Sequence, residues 1–191
     1  MPRTYDMTKR ARRAGQTTER ITETTERLLA ERPIAEVTLQ SIAAGAGVTV
    51  QTVLRHMGSR EGCFEAVGQR LGQRVRRQRE GSAPGDVPGA ITLLTAHYEA
   101  EGRLILNLLA QERGEDPLAA QAAEVGRSYH RAWVERCFLP GVAQPPPTTI
   151  DALVAATDLY VWKLLRIDLG RSAEATHAVI TRMVRALLEE S

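Results

Sequence analysis

The sequence predicts an all-α fold of about nine helices, with an N-terminal three-helix helix-turn-helix unit and a helical C-terminal domain. Three observations carry that expectation. Residues 38–64 hold two short helical phrases joined by a glycine-containing turn, followed at once by a third helix start. The third phrase continues with Phe64, Val67, Leu71 and Val75 at i, i+3, i+7 and i+11, a helical stripe. The stretch 81–88, Gly-Ser-Ala-Pro-Gly-Asp-Val-Pro, is rich in residues that stop helices, and everything after it reads as helix. The expected domains are therefore 1–80 and 81–191.

In chain order, residues 1–16 carry Arg3, Lys9, Arg10, Arg12 and Arg13 with Gly15 and no apolar periodicity, which predicts a mobile basic arm. A first helix follows from about Thr17 to Arg32, with Ile21, Leu28 and Leu29 inward, and Pro33 ends it. Thr38 is a good N-cap for a second helix whose Leu39, Ile42 and Ala43 face inward and whose first turn carries Gln40; Gly45 or Gly47 ends it. Thr49 caps a third helix with Val50, Val53 and Leu54 inward, which leaves Gln51, Thr52 and Arg55 outward and His56 at its end. Ser59 caps the long helix that follows, with Arg60 in the first turn, where backbone N–H groups favour a phosphate.

A short helix with hydrogen-bonding groups on its outer face suits a DNA major groove, whose base edges present distinguishable donor and acceptor patterns. Residues 50–56 are thus read as a recognition helix. The charge distribution agrees: residues 1–80 hold 15 Lys and Arg against 9 Asp and Glu, +6, while residues 81–191 hold 10 against 14, −4. Such an excess also suits an ordinary solvated face. The five arginines between Arg70 and Arg79 are read as a solvated, dipole-compensating face.

Thr38, Ile42-Ala43, Ala46-Gly47-Val48-Thr49, Thr52, Arg55-His56 and Ser59-Arg60-Glu61 together resemble the DNA-binding signature of the tetracycline-repressor (TetR) family of bacterial regulators. The chain departs from that pattern at Leu54 and Met57, where the family usually has tyrosine and phenylalanine; Leu54 lacks the hydroxyl that contacts phosphate. Arg60 stands where lysine is favoured, and Cys63 where leucine is common. The DNA-binding set implied is Thr38, Gln40, Thr49, Val50, Gln51, Thr52, Arg55, His56 and Arg60.

In the second domain, Ile91, Leu94 and Tyr98 mark one helix, Leu104, Ile105, Leu108 and Leu109 another, and Gly114–Pro117 separates these from a third. Within Pro117–Leu139, Ala122, Gly126, Tyr129, His130, Trp133 and Cys137 share one side, suited either to a cavity wall or to plain core. A loop with Pro145-Pro146-Pro147 follows. Thr149–Leu169 is apolar around most of its circumference, so it needs two partners, and the last helix repeats Thr176, Val179, Ile180, Met183, Val184 and Leu187. This resembles the family's dimer-forming helix pair.

The resemblance implies a dimeric transcription regulator, most often a repressor, that binds a palindromic double-stranded DNA operator and responds to a small-molecule effector. A ligand-independent DNA-bound interaction protein, or an activator, is the alternative. The effector site is expected among Tyr98, Asn107, Tyr129, Trp133, Asp158 and Trp162, which combine aromatic walls with a few polar groups. Asp158 is read as paired with a base such as Arg131, as facing water, or as meeting a ligand. No enzyme is expected, because His97, His130 and His177 fall in no catalytic spacing. No cofactor or metal is expected either. Two cysteines, no apolar run near membrane length and no signal-peptide pattern predict a cytoplasmic protein with no membrane contact.

Overall fold

The computed structural model describes residues 3–113 and 117–189, and among them every regular element is helical. Among the described residues nine α-helices are formed: α1 (Arg3–Glu31), α2 (Leu39–Ala46), α3 (Val50–Met57), α4 (Arg60–Glu80), α5 (Val87–Leu109), α6 (Pro117–Phe138), α7 (Pro147–Ala156), α8 (Leu159–Lys163) and α9 (Ala173–Glu189). A 3-10 turn (Ile34–Glu36) precedes α2, and a π turn (Leu164–Asp168) extends α8. The chain divides into two compact units, Met1–Gly72 and Gln73–Ser191.

The first unit is a small core of Ile21, Leu28, Leu29, Ile34, Val37, Ile42, Ala43, Val53, Cys63, Phe64 and Val67. The expected arm is corrected here, since α1 is helical from Arg3 onward. Met1 and Pro2, and the side chains of residues 3–8 and 10, lie outside what is described. Ala11, Ala14 and the straight-chain Lys and Arg residues are good helix formers with no proline between Pro2 and Pro33, so the helix nucleated by the buried face of residues 21–29 propagates backwards through them. On α1 the buried Thr22 and Thr25 hydroxyls donate to the carbonyls of Thr18 (3.0 Å) and Ile21 (2.8 Å), so their polarity is satisfied inside the helix. Arg70 on α4 faces Glu19 (2.6 Å), Glu23 (3.5 Å) and Glu26 (3.6 Å) of α1.

In the second unit α5 to α9 enclose one core containing Ile91, Leu94, Tyr98, Trp133, Val134, Phe138, Leu153, Trp162, Ile180 and Val184. Two sequence expectations are corrected. The two helices expected from Ile91 to Leu109 are one, α5, because Gly102 does not break it; a Cβ there would stand 2.7 Å from the Trp162 ring, so the bare backbone is where that indole packs. The single helix expected over Thr149–Leu169 is broken at Thr157–Asp158. Thr157 Oγ1 donates back to Leu153 O (2.7 Å), and Asp158 Oδ1 accepts from Tyr160 N–H (2.7 Å), so the pair closes one helix and caps the next.

On α6 the buried stripe is Ala119, Ala123, His130, Trp133, Val134, Cys137 and Phe138, whereas Ala122 and Gly126, expected inside, are exposed. The expected separator Gly114–Pro117 falls on residues 114–116, outside the described residues. Along α9, Thr176, Ile180 and Val184 are buried while Val179 and Met183 are exposed. Tyr160, Leu164, Ile167 and Leu169 are exposed as well.

Candidate nucleic-acid interface and the core of the second unit

The α2–turn–α3 segment is set by local chemistry. Thr38 forms a reciprocal cap: its Oγ1 accepts from Ser41 N–H (3.1 Å) and its own N–H donates to Ser41 Oγ (3.0 Å). Gly47 ends α2 at φ 65°, a left-handed conformation that glycine adopts without strain, and the chain turns into α3. Thr49 Oγ1 accepts from Thr52 N–H (3.2 Å) and lies 3.0 Å from Thr52 Oγ1, so both threonines serve the helix start.

Gln51 and Arg55 are exposed on α3, with Thr52 half-buried beside them, and Gln40 and Thr38 are exposed at the start of α2. Of the inward residues only Val53 is fully buried; Val50 and Leu54 are half-buried. The His56 ring turns toward α1, with Nδ1 3.0 Å from Thr18 Oγ1, and so has a partner within the protein. Arg60 is likewise occupied. Its Nε donates to Val37 O (2.7 Å), its Nη2 donates to Ile34 O, and its guanidinium lies 4.5 Å over the Phe64 ring. These bonds tie α4 to the 3-10 turn before α2, a structural task for a residue expected to meet phosphate. At the same helix start, Ser59 Oγ accepts from Gly62 N–H (3.1 Å). Cys63 is buried, which raises its thiol pKa.

The expected effector residues are only partly gathered. Tyr98 and Trp162 are buried neighbours with ring centroids 6.2 Å apart, and Trp133 lies in the same core. Asn107 is half-buried nine residues along α5 from Tyr98, roughly 13 Å at the helical rise, and its carbonyl accepts from Gln111. Asp158 caps α8, while Arg131 pairs with Asp151 (2.7 Å) and Glu135 (3.3 Å) instead. Trp162 Nε1 donates to Glu99 (2.8 Å), which Arg166 grips with two bonds of 2.7 and 2.9 Å, lowering the Glu99 pKa.

Sequence reasoning missed Arg79. It is 4% exposed and sits over Trp133 (4.8 Å) and near Tyr129 (5.7 Å). The solvated face expected for it is thereby corrected. Its Nη1 donates to His130 Nδ1 (3.0 Å), and it reaches the Tyr98 hydroxyl, which donates to Thr157 O (2.9 Å). His130 Nε2 is 3.1 Å from Thr157 Oγ1, whose one proton goes to Leu153 O, so Nε2 carries the ring proton and Nδ1 is the acceptor. Burial and the Arg79 charge lower the His130 pKa to about 3; burial, then Arg79 and Arg74, do the same for His97. Burial raises the Tyr98 pKa. The signal was available: position 79 extends the stripe Phe64, Val67, Leu71, Val75 by another turn, so a cation there points inward.

Among the described residues no group of three or more His, Cys, Asp or Glu is placed to hold a metal ion, and no helix is long and apolar enough to cross a membrane.

Residues 21–67 match the family model of bacterial regulatory proteins, tetR family. No curated protein is similar enough in sequence to match. Among solved structures, the chain is similar to a Rhodococcus sp. protein assigned to the TetR family (18% identity, TM-score 0.67, covering 91% of this chain and 99% of that one). It is also similar to a Clostridium perfringens protein assigned to fatty acid metabolism regulation (16%, 0.65, 90% and 98%). A third is the multidrug binding protein EbrR complexed with imidazole (21%, 0.53, 86% and 88%). At these identities the likenesses speak for the fold, and the 21–67 match speaks for the reader. With its capped α2–turn–α3 segment inside that match, the stretch 21–67 is similar to the helix-turn-helix DNA-binding unit of tetR-family regulators.

Proposed function

We propose that this protein is a cytoplasmic homodimeric repressor that binds a palindromic operator and releases it when a small molecule occupies the second unit. Residues 1–80 serve DNA and 81–191 serve sensing and dimerisation, with the last turn of α4 contributing Arg79 to the second task. The observation that carries the DNA reading is the exposure of Gln51 and Arg55 on a helix capped at its start by Thr49. Those side chains, with Gln40, Thr38 and Thr52, suit base edges and phosphates. With Arg60 and His56 engaged internally, backbone N–H groups at the start of α4 take over the phosphate contact expected of Arg60.

Dimerisation is supported by the exposed apolar side chains of the last helices, Tyr160, Leu164, Val179 and Met183 among them, a surface costly to leave in water. Pairing two copies should bury more than about 1,000 Å². Effector response is supported by the polar cluster around Arg79, and EbrR with imidazole bound offers a related fold holding a small molecule.

The test is selection of operator fragments from genomic DNA by the full chain, repeated with Gln51→Ala and Met183→Glu. A palindromic site whose preference at one base pair relaxes in Gln51→Ala, and whose binding falls with the dimer in Met183→Glu, is expected. Unchanged base preference in Gln51→Ala would overturn the assignment of α3's outer face. A native protein that sediments as an operator-binding monomer would overturn the dimer.

A further inference from the structure

Arg79 is a fixed positive charge held at 4% exposure, and among the described residues no carboxylate forms an ion pair with it. A buried cation without a counter-charge is costly, and proteins keep one where something else supplies the negative charge. The groups it touches do not, and Asp158, whose charge is felt at Tyr98, is a carboxylate that caps α8 and forms no ion pair with Arg79. His130 is a neutral acceptor, His97 is neutral, and Tyr98 keeps its proton, so each solvates the guanidinium without cancelling its charge. The nearby Arg74 is already matched by two bonds to Glu101, 2.8 and 3.0 Å long.

The same place holds unused hydrogen-bonding capacity. Arg79 Nε and Trp133 Nε1 are donors buried with no partner, and His97 Nδ1 is a third buried nitrogen with none. Arg79 and Trp133 are in face contact, and the His97 ring lies 5.5 Å from that of Tyr98, one of the rings around Arg79, so the three unpartnered atoms border one cluster. The walls are the rings of Trp133, Tyr129, Tyr98 and His130. Tyr129 alone among these rings is half-buried, which makes it the wall nearest solvent.

We propose that this cluster is the binding site for a small monocarboxylic acid, its carboxylate on Arg79 and its apolar body against the Trp133 and Tyr129 rings. One fixed positive charge balances one carboxylate, whereas a phosphate dianion would leave a net buried charge and more acceptor atoms than the cluster has donors. The aromatic walls favour an apolar body over a polar one. The proposal rests on the reading that the second unit senses a small molecule, and it names the chemical class of that molecule.

The test uses the full-length protein with benzoate, hexanoate and decanoate as probes, against benzamide and hexanamide as neutral isosteres and inorganic phosphate as the other anion. Binding is followed by calorimetry and by the indole N–H resonance of Trp133, told apart from Trp162 with Trp162→Phe. At least one acid should bind and shift the Trp133 signal while the amides and phosphate do not. Arg79→Met should weaken that acid by roughly tenfold to a hundredfold, the range for a charge-assisted bond lost. If Arg79→Met does not fold, the Trp133 resonance of the otherwise native chain still decides. Failure of every acid, or equal binding by an amide, would overturn the acid assignment. If a neutral compound then releases operator, sensing stands and only the class fails. Acid binding that depends on Arg79 yet leaves operator affinity unchanged would confirm the site and overturn sensing.

Discussion

The two units treat buried polarity in opposite ways. All five buried side-chain nitrogen or oxygen atoms without a partner among the described residues, Arg79 Nε, His97 Nδ1, Trp133 Nε1, Thr176 Oγ1 and Thr181 Oγ1, lie after Gly72. In the first unit the buried threonines Thr22 and Thr25 donate within their own helix, and Arg60 spends two donors on backbone carbonyls. Presenting a fixed set of side chains to DNA asks only for a settled scaffold. A unit that takes up a ligand must hold polar groups in reserve and accept the stability they cost.

The contrast should be sharpest in acid. His97 and His130 are held neutral with pKa values near 3, against 6.5 for an ordinary histidine, so between those limits the unfolded state takes up protons that the folded second unit refuses. Their stability contribution is complete above pH 6.5 and is lost as pH falls toward 3. The loss is on the order of 1 kcal/mol per histidine for each pH unit inside that window. Both tryptophans, Trp133 and Trp162, lie in the second unit, so indole fluorescence reports it alone. Fluorescence should fail at a higher pH than the helicity of residues 3–72; simultaneous loss would break the contrast.

A smaller effect separates two close-packed glycines. Gly102→Ala drives a Cβ to 2.7 Å from a Trp162 ring that Glu99 holds in place, and should cost about 1–3 kcal/mol in a denaturant melt. Gly45→Ala brings a Cβ to 2.6 Å from Thr24 Cγ2, which threonine's second helical rotamer would move aside, and gains helix propensity of about 1 kcal/mol. It should come out near neutral. A larger loss at Gly45 than at Gly102 would reverse the ranking of the two interiors.

The finest comparison is between threonines. Thr157→Val removes one acceptor of His130, whose ring is also in reach of the Val154 backbone, and should cost about 1–2 kcal/mol. Thr25→Val removes a hydroxyl bonded to Ile21 O within its own helix and in reach of the weakly hydrogen-bonding Cys63 thiol, and should cost less, under about 1 kcal/mol. Equal losses in thermal melts would mean that His130 finds another acceptor.

How far the sequence could be read follows the same divide. The caps Thr38 and Thr49, the turn at Gly47 and the start at Ser59 act within a few residues, so their order in the chain is their structure. The burial of Arg79 and the passage of α5 through Gly102 depend on groups tens of residues away, His130 and Trp162, whereas the stop at Thr157–Asp158 rests on Leu153 and Tyr160 close by and was masked by the apolar run around it. Arg79 extended a visible stripe, but a run of arginines at a helix end reads first as solvated. The extension of α1 toward its start was hidden by charge, which does not prevent helix propagation from a buried segment.

Helix α3 has eight residues and a single fully buried side chain, Val53, between the Thr49 cap and Gly58. A helix of two turns has little cooperativity of its own, so its amides are expected to exchange with solvent deuterons sooner than those of α1, and sooner than those of the equally short α2, which buries Ile42, Ala43 and Ala46. Contact with a groove would then slow that exchange. Some of the free energy of reading a site would be spent on ordering the reader, and wrong sequences, offering fewer contacts, would leave it frayed.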